Sequence, residues 1–300
     1  MNRRNLVVGM ALAAGGVALA LAGLAAGPGA ATARDGVTMR LPPITNDKIY
    51  GAPTARGRPI VVIDAGHGGS DPGAGTPAGD LREKDLTLAA ARELRDVLVE
   101  RGRVRVAMTR DSDIYVRLDQ RSAVARRLNA ALFVSLHIDS AANPLARGAS
   151  VYSLSDVASD AESARLAALE NRGSAESNSG RDPVGAMLTD LAMRAQMTAS
   201  AGFASRLVAK ASGRIDLRPQ PHRFAAFHVL RRTGVPAVLF EAGYLSNAAD
   251  ERLLRDPDHR HAIVLTLAEA IESDVAVRSR HQAPYPTSRW HEKSLDASGL

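Results

Sequence analysis

Three short apolar runs set the frame of this chain: 60–64 (IVVID), 132–137 (LFVSLH) and 235–240 (VPAVLF). Each stops at a polar residue or a glycine-rich loop, the pattern of strands buried on both faces of a parallel sheet. Between them the period changes. Residues 83–100 carry Leu86, Ala90, Leu94, Val97 and Leu98 as a helical stripe. Residues 118–129 read as a second helix, and 259–271 as a closing one with Ile263, Val264, Leu267 and Ile271 on one face. Residues 104–109 and 148–153 read as further strands. Strands that alternate with helices predict an α/β fold: a single twisted, mostly parallel sheet flanked by helices. A helical insertion at about 155–212, rich in Ala, Ser, Met and charge, interrupts the alternation.

The ends of the chain differ from this core. Arg3 and Arg4 precede an apolar run at 6–26, a Gly27-Pro28 break and the triplet Ala31-Thr32-Ala33. That order predicts a signal peptide over 1–33, exported by the twin-arginine or the Sec route, which touches the membrane only transiently. The same run is long enough to read as a permanent anchor. Either reading puts the working domain outside the cytoplasm, in the periplasm. Residues 34–57 read as a linker, 58–275 as the main folded domain and 276–300 as a flexible tail.

Composition narrows the chemistry. The chain has no cysteine, which excludes disulfides, thiolate metal sites and a cysteine nucleophile. The net charge is +6, yet the basic residues are scattered and aromatics make up only 4%. A nucleic-acid groove is therefore not expected. Any metal must rest on His, Asp or Glu.

Four such residues stand at the ends of predicted core elements. His67 follows the first strand within Gly66-His67-Gly68-Gly69, Glu83 opens the first helix, His137 ends the strand at 132–137, and Glu241 follows the run at 235–240. In an open α/β sheet the ligand crevice lies beyond the carboxyl ends of the strands. Two imidazoles and a carboxylate form a catalytic zinc set with one position left for water. Glu241 beside such a water would act as general base and then general acid. Each residue also has a plain structural reading. His67 fits a turn residue, Glu83 a helix first-turn carboxylate, His137 a hydrogen-bonded core histidine, and Glu241 an ion-pair partner for an arginine.

The segments 63–74 (IDAGHGGSDPGA), 83–86 (EKDL), 132–139 (LFVSLHID) and 238–247 (VLFEAGYLSN), with Thr109-Arg110 and Arg121 between them, resemble the motifs of the zinc-dependent N-acetylmuramoyl-L-alanine amidases that separate bacterial daughter cells. The resemblance implies that His67, Glu83 and His137 bind Zn2+ and that Glu241 is catalytic. It implies hydrolysis of the amide between N-acetylmuramic acid and L-alanine in peptidoglycan. It also implies that the insertion is regulatory, with a helix that blocks the cleft until an activator with a LytM-type domain displaces it. Leu169-Glu170-Asn171-Arg172 resembles the blocking motif, which makes Glu170 the autoinhibitory candidate. Two alternatives stand beside this one. A zinc peptidoglycan peptidase would place its His and Glu much closer together in sequence. An inactive wall-binding adaptor would lack a ligand or the base, and all four are present.

Overall fold

The computed structural model describes residues 47–172 and 183–282. Its strands are β1 (Ile49–Tyr50), β2 (Ile60–Ala65), β3 (Arg105–Met108), β4 (Leu132–Asp139), β5 (Ala149–Leu154), β6 (Leu217–Ala225) and β7 (Ala237–Tyr244). They form one seven-stranded sheet in the order β1-β3-β2-β4-β7-β5-β6. The pairs β2–β3, β2–β4, β4–β7 and β5–β6 run parallel; β1–β3 and β5–β7 run antiparallel. The expected α/β sheet, mostly parallel and flanked by helices, is what the chain forms.

Alternation along the central strands divides the core between two faces. Val61, Ile63 and Ala65 of β2 face helices α1 (Glu83–Arg101), α4 (Pro183–Ala211) and α7 (Pro257–Gln282). Ile60 and Val62 face the layer built from α2 (Leu118–Arg127), α3 (Ala161–Glu170) and α5 (His228–Arg231). A short α6 (Ala248–Arg255) caps the end of β7. The face that carries α2 and α3 also carries Asp64, Ser135, His137 and Glu241, each in phase with its strand's apolar neighbours.

Three expectations need correction. The segment 34–57 is not wholly a linker, because Ile49–Tyr50 adds an edge strand beside β3 and Ala55 is fully buried. The segment 155–212 is not wholly an insertion. Phe203, Leu207 and Ala211, four residues apart, put one stripe of α4 into the main core, so its second half is a structural helix. The closing helix runs past 275 to Gln282, and Arg278 ties its end down through Ala131 O and Asp274. Strand β6 has no apolar run to mark it in the sequence. Its Pro219 and Pro221 disguise it, and they are tolerated because β6 is at the sheet edge.

The proposed signal segment, and residues 173–182 of the insertion, lie outside the described residues. Among the described residues no helix is long and apolar enough to cross a membrane.

Candidate metal centre

Strand β2 hands over to a loop in which His67 takes a left-handed backbone, φ 59°. A non-glycine residue there costs of order 1–3 kcal/mol, which marks the loop as serving something other than stability. Two glycines make room for the side chains. A Cβ on Gly66 would stand 2.6 Å from the His137 ring, and one on Gly73 (φ 65°) would stand 2.5 Å from Glu83 Oε2. Glu83 begins α1, and the chain folds back through the loop to bring it beside His67.

His67, Glu83 and His137 converge. His67 Nε2 is 3.1 Å from Glu83 Oε2, and His137 Nδ1 is 3.0 Å from Glu83 Oε1. The two rings meet edge to face with centroids 5.0 Å apart. Backbone amides fix the carboxylate: Ala74 N donates to Oε2 at 2.8 Å and Ile138 N to Oε1 at 2.9 Å. The last residue of α3 reaches the same place. Glu170 Oε2 is 3.2 Å from His137 Nδ1 and 3.5 Å from His67 Nε2. Ligand atoms of His67, His137 and Glu170 all lie within 4.8 Å of one another. The group lines a cavity of about 490 Å³.

The donor set fits a divalent ion. Asp71, four residues after His67, takes its Nδ1 at 2.8 Å, which leaves Nε2 as the nitrogen a cation would take in place of a proton. That Nε2 is buried and makes no hydrogen bond, despite its closeness to Glu83. Asp71 is part of the 63–74 motif but has no role assigned from sequence; its place four residues beyond the histidine, in the same turn, is the available signal.

Charges in the cleft are strongly coupled. Burial works against a proton on His67, but Glu83 and Asp71 outweigh it and push the imidazole up to about 11. Burial would raise Glu83, yet His67 and His137 hold it well below the usual carboxylate range. Burial raises Glu170, and the charge of Glu83 adds to that, while the histidines pull the other way. A cation in the cleft would replace the proton that His67 otherwise holds.

Glu241 and His137 both lie inside their strands rather than past the ends. They are register partners across β4 and β7, with Ser150 opposite Glu241 on β5. Glu241 is 1% exposed and neither carboxylate oxygen has a hydrogen-bond partner. Burial, then Asp139, Glu83 and Glu170, push it well above the ordinary carboxylate value. Asp139 is likewise raised by burial, to about 6, although Ser140 N and Arg165 oppose the shift.

A family model described as N-acetylmuramoyl-L-alanine amidase matches residues 61–273. The chain is similar to N-acetylmuramoyl-L-alanine amidase AmiC of Neisseria meningitidis serogroup B, 35% identical over 220 residues, which is 72% of this chain and 52% of that protein. It is also similar to N-acetylmuramoyl-L-alanine amidase AmiA of Escherichia coli, 34% identical over 224 residues, 72% of this chain and 76% of that protein. The chain thus spans about half the length of the first relative and about three quarters of the second. Among solved structures, the catalytic domain of CwlV, an N-acetylmuramoyl-L-alanine amidase from Bacillus (Paenibacillus) polymyxa var. colistinus, matches with TM-score 0.53 at 29% identity, over 73% of this chain and 99% of that one.

Proposed function

Since the chain belongs to the N-acetylmuramoyl-L-alanine amidase family, we propose that it hydrolyses the amide joining the lactyl group of N-acetylmuramic acid to the L-alanine of the stem peptide in peptidoglycan. The observation that carries this reading is the convergence of His67 Nε2, His137 Nδ1 and the Glu83 carboxylate in one buried cleft. A zinc ion held by these three residues would polarise the scissile carbonyl and acidify water. Glu83 serves as the third ligand because two backbone amides already orient its oxygens. Asp71 keeps His67 in the tautomer that presents Nε2.

Glu241 moves the protons. Its carboxylate accepts a proton from the attacking water and returns it to the departing alanine nitrogen. Burial beside Asp139 and Glu83 favours the protonated form between those two events.

Glu170 blocks the cleft in the resting chain. Its approach to both histidines supports α3 as an autoinhibitory element that an activator of LytM type displaces. Residues 1–33 direct the chain to the periplasm by the twin-arginine or Sec route, where peptidoglycan remodelling for daughter-cell separation takes place. Digestion of purified sacculi by the Glu170→Ala protein, with and without a chelator, tests the reading by mass spectrometry of the products. Chelator-sensitive release of intact stem peptides that begin with L-alanine is the expected result. Cleavage inside the stem peptide, or none, would overturn it.

A further inference from the structure

The loop that carries His67 is gripped by its carbonyl groups. Arg110 Nε donates to Ala65 O at 2.9 Å, and Arg121 Nη1 donates to the same oxygen at 2.7 Å. Arg121 Nη2 donates to His67 O at 2.7 Å. Lys84 Nζ donates to Gly69 O at 2.9 Å. Gly66 O receives Arg110 Nη2 at 2.8 Å and Thr87 Oγ1 at 2.9 Å. The carbonyls of Ala65, Gly66, His67 and Gly69 are therefore held by cationic side chains, while Gly68 O accepts from the Asp71 amide.

Arg110 is the unusual member. It is fully buried, and its donors go to Ala65 O, Gly66 O, Lys84 O, Ser112 O and the Thr87 hydroxyl rather than to a carboxylate. A buried guanidinium with neutral acceptors is a costly device if all it does is stabilise the fold. Arg121, by contrast, has Asp64 at 2.9 Å. What Arg110 does is specific in geometry. Its Nη2 bridges Gly66 O and Lys84 O, both at 2.8 Å. The first carbonyl immediately precedes His67 and the second immediately follows Glu83. One nitrogen thus spans the backbones of two side chains that lie far apart in sequence.

We propose that Arg110 is a positioning residue that sets the separation of His67 and Glu83 before a metal arrives, with Thr87 and Arg121 steadying the same loop. The inference rests on the reading of His67 and Glu83 as metal ligands. A rigid planar fork suits this task, because it fixes two acceptors at once where an ammonium on a flexible stem does not. The left-handed backbone at His67 is held in the same way, by the bond from Arg121 to its carbonyl.

The test compares metal-free full-length protein with its Arg110→Lys variant. Zinc is titrated against a chromophoric chelator, and far-UV circular dichroism and thermal melts are recorded on the metal-free forms. The variant should keep its fold and bind zinc about 10- to 100-fold more weakly, the usual effect of losing an outer partner of a ligand. Cobalt-loaded samples should show an altered visible absorption band, a readout that a purely structural role would leave unmoved. A variant with a lower melting temperature but the wild-type zinc affinity and cobalt band would overturn the proposal. Should Arg110→Lys fail to fold, Thr87→Val decides the question. It removes one hydroxyl at constant shape and should weaken zinc binding about fivefold, the worth of one hydrogen bond; equal affinity would overturn the proposal. A wild type that binds no zinc would overturn the ligand reading and this inference with it, whereas tight binding by both proteins overturns the inference alone.

Discussion

Replacing Glu241 with glutamine should make the protein more stable and nearly inactive. The carboxylate is 1% exposed, both oxygens lack partners, and Asp139, Glu83 and Glu170 all raise it. In the unfolded chain a glutamate ionises near pH ~4.3. In the folded chain it holds its proton to higher pH, so the native state binds more protons than the unfolded one above that value. Stability therefore falls as pH rises from about 4.3 toward the folded value. Glutamine has no such dependence. The amide keeps the unpartnered polar burial but removes the cost of protonating, at neutral pH, a side chain that is ionised in the unfolded chain, worth about 1.4 kcal/mol for each pH unit between about 4.3 and the folded value. The metal-free variant should thus gain about 1–3 kcal/mol at pH 7, or about 2–4 °C of melting temperature per kcal/mol for a body of this size. The gain should shrink toward pH 4. Turnover of sacculi by the metal-loaded variant should fall about 10²- to 10⁴-fold, the worth of a general acid–base group. Calorimetry in chelator at pH 5 and pH 8, beside a sacculus assay, makes the measurement. A lower melting temperature would mean that the charge is paired, and unchanged turnover would remove Glu241 from the mechanism.

Other perturbations test separate parts of the account. Glu170→Ala should raise basal sacculus hydrolysis at least several-fold and tighten zinc binding by removing a competing carboxylate; no rise in either would sink the autoinhibitory role. Asp64→Ala should cost about 3–5 kcal/mol in urea unfolding, because Arg121 would be left buried without its partner. Asp64 is held low because Arg121, Ser135 and Thr109 outweigh its burial, so the wild type should lose that contribution as pH falls below about 4, whereas Asp64→Asn should show no such loss. Gly73→Ala should weaken zinc binding about tenfold or more, since its Cβ would stand 2.5 Å from Glu83 Oε2 on a left-handed backbone. Wild-type affinity in that variant would show that Glu83 is not held where the account requires.

The central strands could be read directly from sequence because burial on both faces leaves unbroken apolar runs, as in β2 and β4. Edge elements lack that signature. β1 is two residues long and β6 carries two prolines, and neither has a second covered face to impose a pattern. Helix α4 hid its core stripe among alanines and methionines, so its second half read as part of an insertion. For the site, a glycine-rich loop after a strand marked His67, and strand position marked His137 and Glu241. What local pattern cannot show is pairing at a distance. The bonds from Arg110 and Arg121 to Ala65 O and His67 O span 45 to 56 positions, and nothing near those arginines in sequence points to the loop.

The most direct measurement is anomalous diffraction at the zinc edge from crystals of the Glu170→Ala protein. The account predicts a single strong peak bounded by His67 Nε2, His137 Nδ1 and the Glu83 carboxylate, with Glu241 facing it. A peak elsewhere, or none in zinc-soaked crystals, would contradict it.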